Sequence, residues 1–410
     1  MRRVVITGMG AVTSLGNTPE ELFENLIEGK NGIAPITHFD ASGIKVRIAG
    51  EVKNFNPDVY LDPSITRRLD PAFIYALVAS KQAYDEAHLP ESINRDRFGV
   101  YVSSGIGGLT TIEAEAKKAI ERGGDRVSPF FVPNSIINLI GGQIAILFHA
   151  QGPNIPIVTA CASGNNAIGE AMRAIRDGYL DLAFCGASEA PITTLGVSGF
   201  ASMRALNTSN DPEAASMPFD KRRSGFVIAE GSGMLLVEEL EHAITRGATI
   251  LGEIVGYGSN CDAYHITSPD PEASGMRKCM ELALQDAKIP LDAIDYINAH
   301  GTSTVYNDWY ETLAIKQVFG PRAYEVPISS TKSATGHSLA AAGAIEAIIT
   351  TKALQTGMVP PTIHYQEADP VCDLNYTPNV AIHHSMRYAM SNSFGFGGQN
   401  AVIILKKYQE

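Results

Sequence analysis

The sequence predicts an α/β fold with largely buried sheets. Short apolar runs alternate with segments of helical periodicity, and no low-complexity segment or long linker separates them. The composition is that of an ordinary globular protein, with 45% hydrophobic and 19% charged residues. At roughly 150 residues per domain, the 410 residues would form two or three domains or one large duplicated unit. We expect these units to pack tightly against one another.

The predicted elements follow one another in a regular order. The first is a strand at Arg3–Ile6, and a helix follows with Thr18 as its N-cap, a proline at its first position and two glutamates in its first turn. Residues 167–175 show helical spacing of apolar side chains, and a second helix is predicted over Ser338–Leu354. The further β-rich runs are Phe98–Ser103, Ile155–Thr159, Leu182–Cys185, Leu251–Val255, Ile294–Asn298, Val326–Ser329 and Ala401–Leu405.

Two strand-to-helix units recur in the same order, which indicates an internal duplication. Phe98–Gly105 is similar to Ile294–Gly301, and Ile155–Cys161 is similar to Val326–Lys332. A duplication puts a boundary near residue 250 and makes the protein two related halves. We expect the halves to be residues 1–252 and 253–410.

Charge and cysteine content exclude several classes of function. The chain carries 44 acidic and 32 basic residues, a net charge of −12, which argues against binding to nucleic acid or to an anionic membrane surface. Its five cysteines are scattered and contain no CxxC pair, so neither a secreted disulfide framework nor a structural zinc site is expected. The apolar run Ile136–Phe148 is too short and too polar to span a bilayer. We expect a soluble, cytoplasmic protein.

Cys161 stands where an apolar strand meets the start of a helix. A thiol at a helix N-terminus is expected to have a pKa below its usual value of about 8.5, because the helix dipole and free N–H groups stabilise the thiolate. The same N–H groups can hold an oxyanion formed at a thioester carbonyl. A buried apolar cysteine is the alternative interpretation. It is the one we adopt for Cys185, Cys261, Cys279 and Cys372.

Two histidines and a lysine occupy comparable positions. His300 closes an apolar run, His337 opens the alanine-rich helix, and Lys332 ends a strand, where it could fix the local charge. A hydrolase triad instead uses one histidine, oriented by Asn or Asp. Two neutral imidazoles suit donation to one developing oxyanion, such as the enolate that forms when a malonyl thioester loses CO2.

Three glycine-rich segments have part of the pattern of a nucleotide-binding loop. Gly8–Thr13 follows a strand like a dinucleotide fingerprint, but the next helix starts only near Pro19, too late to receive a pyrophosphate. Gly105–Gly108 and Gly395–Gly398 lack the GKS/T of a P-loop. Tight turns near a narrow substrate channel are the expected use of these two segments.

Four segments together resemble the signature segments of β-ketoacyl-acyl carrier protein synthases, with synthase II of bacterial type II fatty acid synthesis as the closest type. They are Val158–Gly164, Asn298–Thr304, Lys332–His337 and Asn392–Gly398, and the similarity runs along the whole chain. The resemblance implies the thiolase fold, a five-layered αβαβα sandwich of two duplicated halves. The nucleophile would lie in the N-terminal half, and both histidines and the glycine-rich gating loop in the C-terminal half.

The resemblance also implies a reaction, a decarboxylative Claisen condensation of an acyl-enzyme thioester with malonyl-acyl carrier protein. Cys161 would take the acyl chain, while His300 and His337 would promote decarboxylation of the malonyl unit and stabilise the enolate. No metal or redox cofactor is implied. Lys332 and Glu346 would form a supporting charged pair, and the backbone N–H groups of Cys161 and Phe394 would form the oxyanion hole. The Phe394 side chain would act as a gate. Thr302 and Thr304 would bind the pantetheine arm, and Ile106 and Phe200 would line the acyl pocket.

The family is dimeric and works with an acyl carrier protein, which implies two protein interfaces. Phe130–Pro133 matches a segment at the dimer interface. Arg67, Arg68 and Arg204 match positions that contact the carrier protein. A local positive patch on an acidic protein suits a strongly acidic, transient partner.

Three positions depart from the family pattern and leave a second pathway open. Trp309 stands where lysine is expected, Pro71-Ala72 replaces a more polar pair, and Ala229 replaces glycine. The alternative is a ketosynthase subunit of a type II polyketide synthase, which would form a heterodimer with a chain-length factor instead of a homodimer. The sequence Gly-Thr-Ser-Thr at Gly301–Thr304 favours the fatty acid pathway over the polyketide pathway. A thiolase would need a C-terminal Cys-Gly motif that Gly395–Gly398 lacks, and a non-catalytic scaffold would not need the cysteine and both histidines.

Overall fold

The structure, a computed structural model, describes residues 2–409. The strands are β1 (Val4–Thr13), β2 (Ala34–Pro35), β3 (Ile48–Ala49), β4 (Phe98–Ser103), β5 (Leu182–Glu189), β6 (Gly231–Glu239), β7 (Gly252–Cys261), β8 (Tyr296–Asn298), β9 (Ile328–Ser329), β10 (Met358–Val359), β11 (Ile382–His383), β12 (Tyr388–Gly395) and β13 (Gln399–Lys406). The helices are α1 (Pro19–Ile27), α2 (Pro63–Thr66), α3 (Pro71–Ala87), α4 (Leu109–Arg122), α5 (Phe131–Ser135), α6 (Asn138–Phe148), α7 (Ser163–Arg176), α8 (Thr194–Ser202), α9 (Leu240–Thr245), α10 (Ser274–Ala287), α11 (Val305–Phe319), α12 (Lys332–Thr335) and α13 (Ala342–Thr356).

The same order of parallel and antiparallel strand pairings occurs two times in the main sheet. Its nine strands lie in the order β4-β5-β6-β1-β7-β13-β12-β8-β9. Starting from β1, the pairings to β6, β5 and β4 are antiparallel, antiparallel and parallel. Starting from β7, the pairings to β13, β12 and β8 follow the same sequence. The two halves join where Val4–Ile6 pairs with Gly252–Ile254, so the sheet confirms the predicted duplication.

Helices form three layers around the two halves of this sheet. Helices α7 and α13 lie between the halves, because each contacts strands of both. Helix α3 packs on β1 and β6, and α10 packs on β7 and β13, which covers the two outer faces. The order helix, sheet, helix, sheet, helix confirms the predicted five-layered fold.

Glycines allow the two central helices to approach closely near the cysteine. A Cβ added to Gly164 on α7 would lie 2.5 Å from the backbone nitrogen of Ala344 on α13. A Cβ on Gly343 would lie 2.9 Å from the backbone nitrogen of Asn165. Any larger residue at these positions would push α7 and α13 apart, so the contact between the halves depends on these glycines.

Several predicted elements agree with the structure and others have different bounds. The strand Phe98–Ser103 has the predicted bounds, and the Thr18 side chain caps α1 by accepting a hydrogen bond from the Glu21 N–H at 3.1 Å. Other strands are longer or shorter than predicted, and β6 and β12 were not predicted. The helix expected over Ser338–Leu354 begins later, at Ala342, after a 3-10 turn.

One predicted strand is absent from the sheet. Ile155–Thr159 does not form a regular strand. It runs beside the edge strand β4, and within the described chain β4 is the only strand next to it. Its Ile155 N–H donates to the Val100 carbonyl at 2.9 Å, and the run is partly exposed. Gly8–Thr13 continues the first strand, so β1 runs beyond the predicted Arg3–Ile6, and its glycines pack against α3.

The departures at Pro71-Ala72 and Ala229 have local explanations. Pro71 occupies the first position of α3, and Asp70 caps the helix by accepting from the Ala72 N–H at 3.1 Å. The Ala229 methyl group packs against Gly336, next to His337. Trp309 is half-exposed on α11 with its ring 5.1 Å from that of Tyr310, and nothing in the structure explains a tryptophan there. Across residues 2–409, the helices are either too short or too polar to traverse a bilayer.

Candidate active site

Cys161 lies in a short 3-10 turn, Ala160–Ala162, immediately before α7. Ala160 has a φ of 49°, in the left-handed region that a non-glycine residue adopts at a cost. Gly395 packs behind this turn, since a Cβ there would lie 3.2 Å from the Cys161 nitrogen. The turn therefore fixes the cysteine between the start of α7 and the glycine-rich loop.

The fold brings both predicted histidines to this cysteine. His337 Nε2 lies 3.2 Å from Cys161 Sγ. The rings of His300 and His337 are nearly perpendicular, with centroids 5.3 Å apart. One ligand atom from each of the three residues lies within 4.8 Å of the others, and all three residues are buried. Groups separated by up to 176 residues in sequence thus form one cluster.

Backbone contacts hold His300 in place through an acidic residue that the sequence reasoning missed. Glu311 on α11 accepts the N–H of His300 and the N–H of Gly301, each at 2.8 Å. The Asn392 side chain donates to the same carboxylate at 3.1 Å. Asp308, one turn earlier on the helix, accepts the Ser303 N–H at 3.2 Å. Two acids three residues apart share a helix face, and that spacing was the available signal.

His337 is held by its own backbone. Its N–H donates to the Val227 carbonyl at 2.8 Å, and its carbonyl accepts the Ala229 N–H at 2.9 Å. The preceding Gly336 has a φ of 73°, and a Cβ there would lie 2.9 Å from the Ala229 methyl group. Gly336 therefore needs to be glycine, and it sets the direction in which His337 enters the site.

Both imidazoles are neutral at ordinary pH. Burial lowers the pKa of His300 and of His337 well below the usual value, and the positive charge of Lys332 lowers both further. Within residues 2–409, neither ring finds a hydrogen-bond partner for its Nδ1 atom. Two uncharged rings that converge on one point suit hydrogen-bond donation to an oxyanion, as the residue types predicted.

Lys332 and Glu346 form a buried ion pair beside the histidines. Burial raises the pKa of Glu346 to about 7, and the Lys332 ammonium acts in the opposite direction. Lys332 also favours the thiolate of Cys161. The Lys332 charge therefore lowers the pKa of the thiol and of both imidazoles, while Glu346 partners the lysine.

The predicted low pKa of the Cys161 thiol is wrong. Burial raises this pKa to about 11, although Lys332 and the Phe396 N–H partly oppose the rise. Complete burial outweighs the effect of the helix N-terminus, because desolvation penalises the thiolate. The thiol must therefore lose its proton during attack, and the nitrogen in contact with it is His337 Nε2.

A cavity of about 490 Å³ opens onto the three residues. Most of the residues predicted for substrate binding line it. The Thr302 and Thr304 hydroxyl groups lie 2.9 Å apart on one wall. Ile106 and Phe200 belong to an apolar cluster with Phe226 on another wall. The predicted residues in the lining are Cys161, His300, His337, Thr302, Thr304, Ile106, Phe200, Phe394 and Arg204.

The backbone N–H next to the Cys161 sulfur differs from the predicted one. The Phe394 side chain is buried in the core, with its ring 6.1 Å from that of His300. The backbone N–H that faces the Cys161 sulfur belongs to Phe396. Phe396 is half-buried between two glycines and lines the cavity. The N–H expected from Phe394 at the sulfur is therefore that of Phe396, and both phenylalanines line the cavity.

The three predicted carrier-protein arginines do not share one location. Arg204 lines the cavity, whereas Arg67 and Arg68 lie on the surface at the end of α2. The Arg68 guanidinium lies over the Phe130 ring, 5.1 Å from its centroid. Arg68 therefore connects the predicted carrier patch to the predicted dimer segment.

The cysteine and two histidines are close enough to ligate one metal ion. A metal-bound imidazole ordinarily donates its other ring N–H to a carboxylate or carbonyl. Among the described residues, both Nδ1 atoms lack such a partner, and the Lys332 charge acts on both rings. The cluster fits an oxyanion better than a cation.

The site combines a buried thiol with two neutral imidazoles at an apolar cavity, and the fold is a duplicated five-layered sandwich. Together these features define the class of thiolase-fold condensing enzymes, which are acyltransferases. The chain belongs to the β-ketoacyl synthase family. The profile of the family's N-terminal domain matches residues 1–243, and that of its C-terminal domain matches residues 251–366.

Individual relatives extend the match to the whole chain. The chain is 49% identical over 410 residues to a Synechocystis sp. protein named 3-oxoacyl-[acyl-carrier-protein] synthase 2, and covers 99% of it. A solved type II polyketide synthase acyl carrier protein with its ketosynthase matches with a TM-score of 0.92 and 36% identity, covering 99% of this chain and 100% of that one. The ishigamide ketosynthase/chain length factor matches with a TM-score of 0.93 and 35% identity, covering 100% of both chains.

Proposed function

We propose that this protein condenses an acyl chain, held on Cys161, with malonyl-acyl carrier protein in fatty acid elongation. The observation that carries the proposal is the convergence of Cys161 Sγ and two neutral imidazoles within 4.8 Å at one cavity. The full-length similarity to a synthase 2 supports the fatty acid pathway.

The first step transfers the acyl group to the enzyme. The Cys161 sulfur attacks the thioester carbonyl of the acyl carrier protein, and the bond to the pantetheine sulfur breaks. The thiol proton passes to the departing pantetheine sulfur, and the His337 Nε2–H stabilises the Cys161 sulfur while it carries negative charge. The N–H groups of Cys161 and Phe396 hold the oxyanion during attack.

The second step forms the carbon–carbon bond. Malonyl-acyl carrier protein loses CO2, and the electron pair of the broken bond moves into an enolate whose oxygen accepts hydrogen bonds from His300 and His337. The enolate carbon attacks the acyl-cysteine carbonyl, and the Cys161 thiolate leaves. The product is a 3-oxoacyl chain, longer by two carbons, on the carrier protein.

The test is a reconstituted condensation assay. We expect acyl-loaded acyl carrier protein, malonyl-acyl carrier protein and this enzyme alone to give CO2 and a 3-oxoacyl product two carbons longer than the acyl donor. Hydrolysis of the acyl thioester without a longer product would contradict the proposal.

A type II polyketide ketosynthase is the second candidate, because the fold neighbours above include ketosynthases of that kind. Such a subunit would work with a chain-length factor. Activity that appears only after such a partner is added would favour this candidate over the first.

We also propose a cytoplasmic homodimer of two-half subunits, with halves at 1–252 and 253–410. A self-association surface is supported by exposed apolar side chains near the free edge of the sheet. They are Phe130, Val132, Ile136, Ile155 and Val158.

Ile106→Phe should shorten the acyl chains that the enzyme accepts. The larger ring adds volume to a packed apolar wall, which costs roughly 1–3 kcal/mol of fit, or on the order of 10- to 100-fold in rate for long chains. Short chains should be nearly unaffected. The measurement is kcat/KM across a primer series, with Ile106→Val as the control. Equal losses for short and long primers would remove Ile106 from the acyl site.

Arg67→Glu combined with Arg68→Glu should weaken turnover of carrier-bound substrate, mainly through KM and more strongly at low salt. Turnover of a small pantetheine thioester should be preserved. Charge reversal of the adjacent exposed pair Arg277 and Lys278 on α10 is the control. If carrier-bound and small substrates suffer equally, the arginines have a structural role.

A further inference from the structure

Glu189 is a buried acid at the end of β5 that the reaction steps above do not use. Its carboxylate accepts hydrogen bonds from the Ser104 hydroxyl at 2.9 Å, the Gly105 N–H at 2.7 Å and the Ile106 N–H at 3.1 Å. All three donors are neutral. Burial raises the pKa of Glu189 to about 7, and these donors oppose the rise. Loss of a donor would leave this buried carboxylate with fewer hydrogen bonds to offset its desolvation.

The donors belong to the turn that follows β4, and this turn carries the Ile106 side chain into the cavity. The Gly107 N–H donates to Ser104 Oγ at 2.9 Å. On the far side, the Gly108 N–H donates to the Ser135 carbonyl at 3.1 Å. The turn is thus held on both sides, and Glu189 supplies the inner support directly behind Ile106.

Glu189 also reaches a second part of the site. The Ala340 N–H faces its carboxylate, and Ala340 lies in the 3-10 turn Leu339–Ala341 that follows His337. The negative charge of Glu189 acts on the Cys161 thiol as well. One side chain therefore connects the wall of the acyl site to the loop of a reacting histidine.

We propose that Glu189 is a positioning residue that holds Ile106 as a fixed wall and so sets the longest acyl chain that Cys161 accepts. The inference rests on the proposed function and concerns the acyl substrate of the same site. With the carboxylate in place, the backbone of Ile106 cannot retreat from the cavity. Without the Glu189 carboxylate, Ile106 can move away from the cavity, and a longer acyl chain fits.

Glu189→Gln tests the proposal, because it keeps the volume of the side chain but turns an acceptor into an N–H donor that faces other N–H groups. Losing one hydrogen bond of this kind changes the equilibrium between the fixed and the displaced position of Ile106 by about tenfold. We expect the kcat/KM ratio of long to short primers to rise about tenfold, while kcat for short primers stays within about threefold. Ser104→Ala, a milder change, should raise the same ratio by about threefold.

Glu51→Gln is the matched control. Glu51 is also buried, and it accepts the Thr37 N–H at 2.8 Å, the His38 N–H at 3.0 Å and the Thr37 hydroxyl at 2.6 Å, but it does not line the cavity. A merely structural loss would lower turnover of all primers together in both Gln variants and leave the ratio unchanged.

The outcomes separate this inference from the function on which it rests. A ratio that stays constant or falls in Glu189→Gln and Ser104→Ala, or that rises equally in Glu51→Gln, overturns the role of Glu189. Intact mass after loading with long and short acyl donors gives the same ratio at Cys161, and thermal melting reports folding. A folded wild-type enzyme that makes no 3-oxoacyl product contradicts the proposed function itself.

Discussion

Cys161→Ala should abolish acyl loading and condensation yet leave measurable release of CO2 from malonyl-acyl carrier protein. Condensation needs the acyl-cysteine as its electrophile. Decarboxylation needs only hydrogen-bond donors aimed at the thioester oxygen, and both histidines keep their backbone supports when the sulfur is removed. The measurements are adduct mass on the protein and labelled CO2 from the malonyl substrate.

Cys185→Ala is the matched control, because Cys185 is a buried cysteine of β5 that does not line the cavity. It should load acyl groups like the wild type. The assignment fails if Cys161→Ala loses decarboxylation as completely as the histidine variants while its circular dichroism is unchanged.

His300→Ala and His337→Ala should show the opposite pattern. Each removes one donor to the enolate oxygen, which should slow decarboxylation by about 100- to 1000-fold, as for an oxyanion-hole donor. Acyl loading should persist in part in both. His337→Ala should load more slowly than His300→Ala, because His337 Nε2 is the nitrogen that contacts the Cys161 thiol.

Single-turnover loading and CO2 release measured on both variants check this pattern. His383→Ala, at an exposed position on β11, should behave like the wild type in both assays. Full-rate decarboxylation by either His300→Ala or His337→Ala would contradict a donor role for that ring.

The strands that the sequence revealed are those whose side chains are large and apolar. Phe98–Ser103 was predicted with its observed bounds. Strands β6 and β12 contain glycine, serine and asparagine, which have weak strand propensity, and they were missed. These strands are enclosed between helical layers, so their conformation depends on packing that local sequence does not report.

The three reacting residues could be predicted because Cys161 and His300 lie where an apolar run ends and His337 lies just before the alanine-rich helix. Their supports could not be predicted in the same way. Glu311 and Glu189 act by accepting backbone N–H groups, and apart from the spacing of Asp308 and Glu311 no sequence pattern indicates this role. The pKa of Cys161 was predicted in the wrong direction because it depends on complete burial, which only the tertiary structure reveals.

The duplicated halves imply that one ancestral scaffold took on two unlike tasks. In the two pairs of repeated segments, Cys161 corresponds in position to Lys332, and Ser104 corresponds to His300. Each half keeps a buried acid beneath the matching turn, Glu189 in one and Glu311 in the other. In the proposed reaction the first copy carries the acyl group on Cys161, and the second copy supplies His300 and His337 for the malonyl unit. Because His337 and Phe396 of the second copy also contact Cys161, substitutions in the second copy can impair both proposed steps, whereas substitutions around Ile106 in the first copy bear on the acyl chain alone.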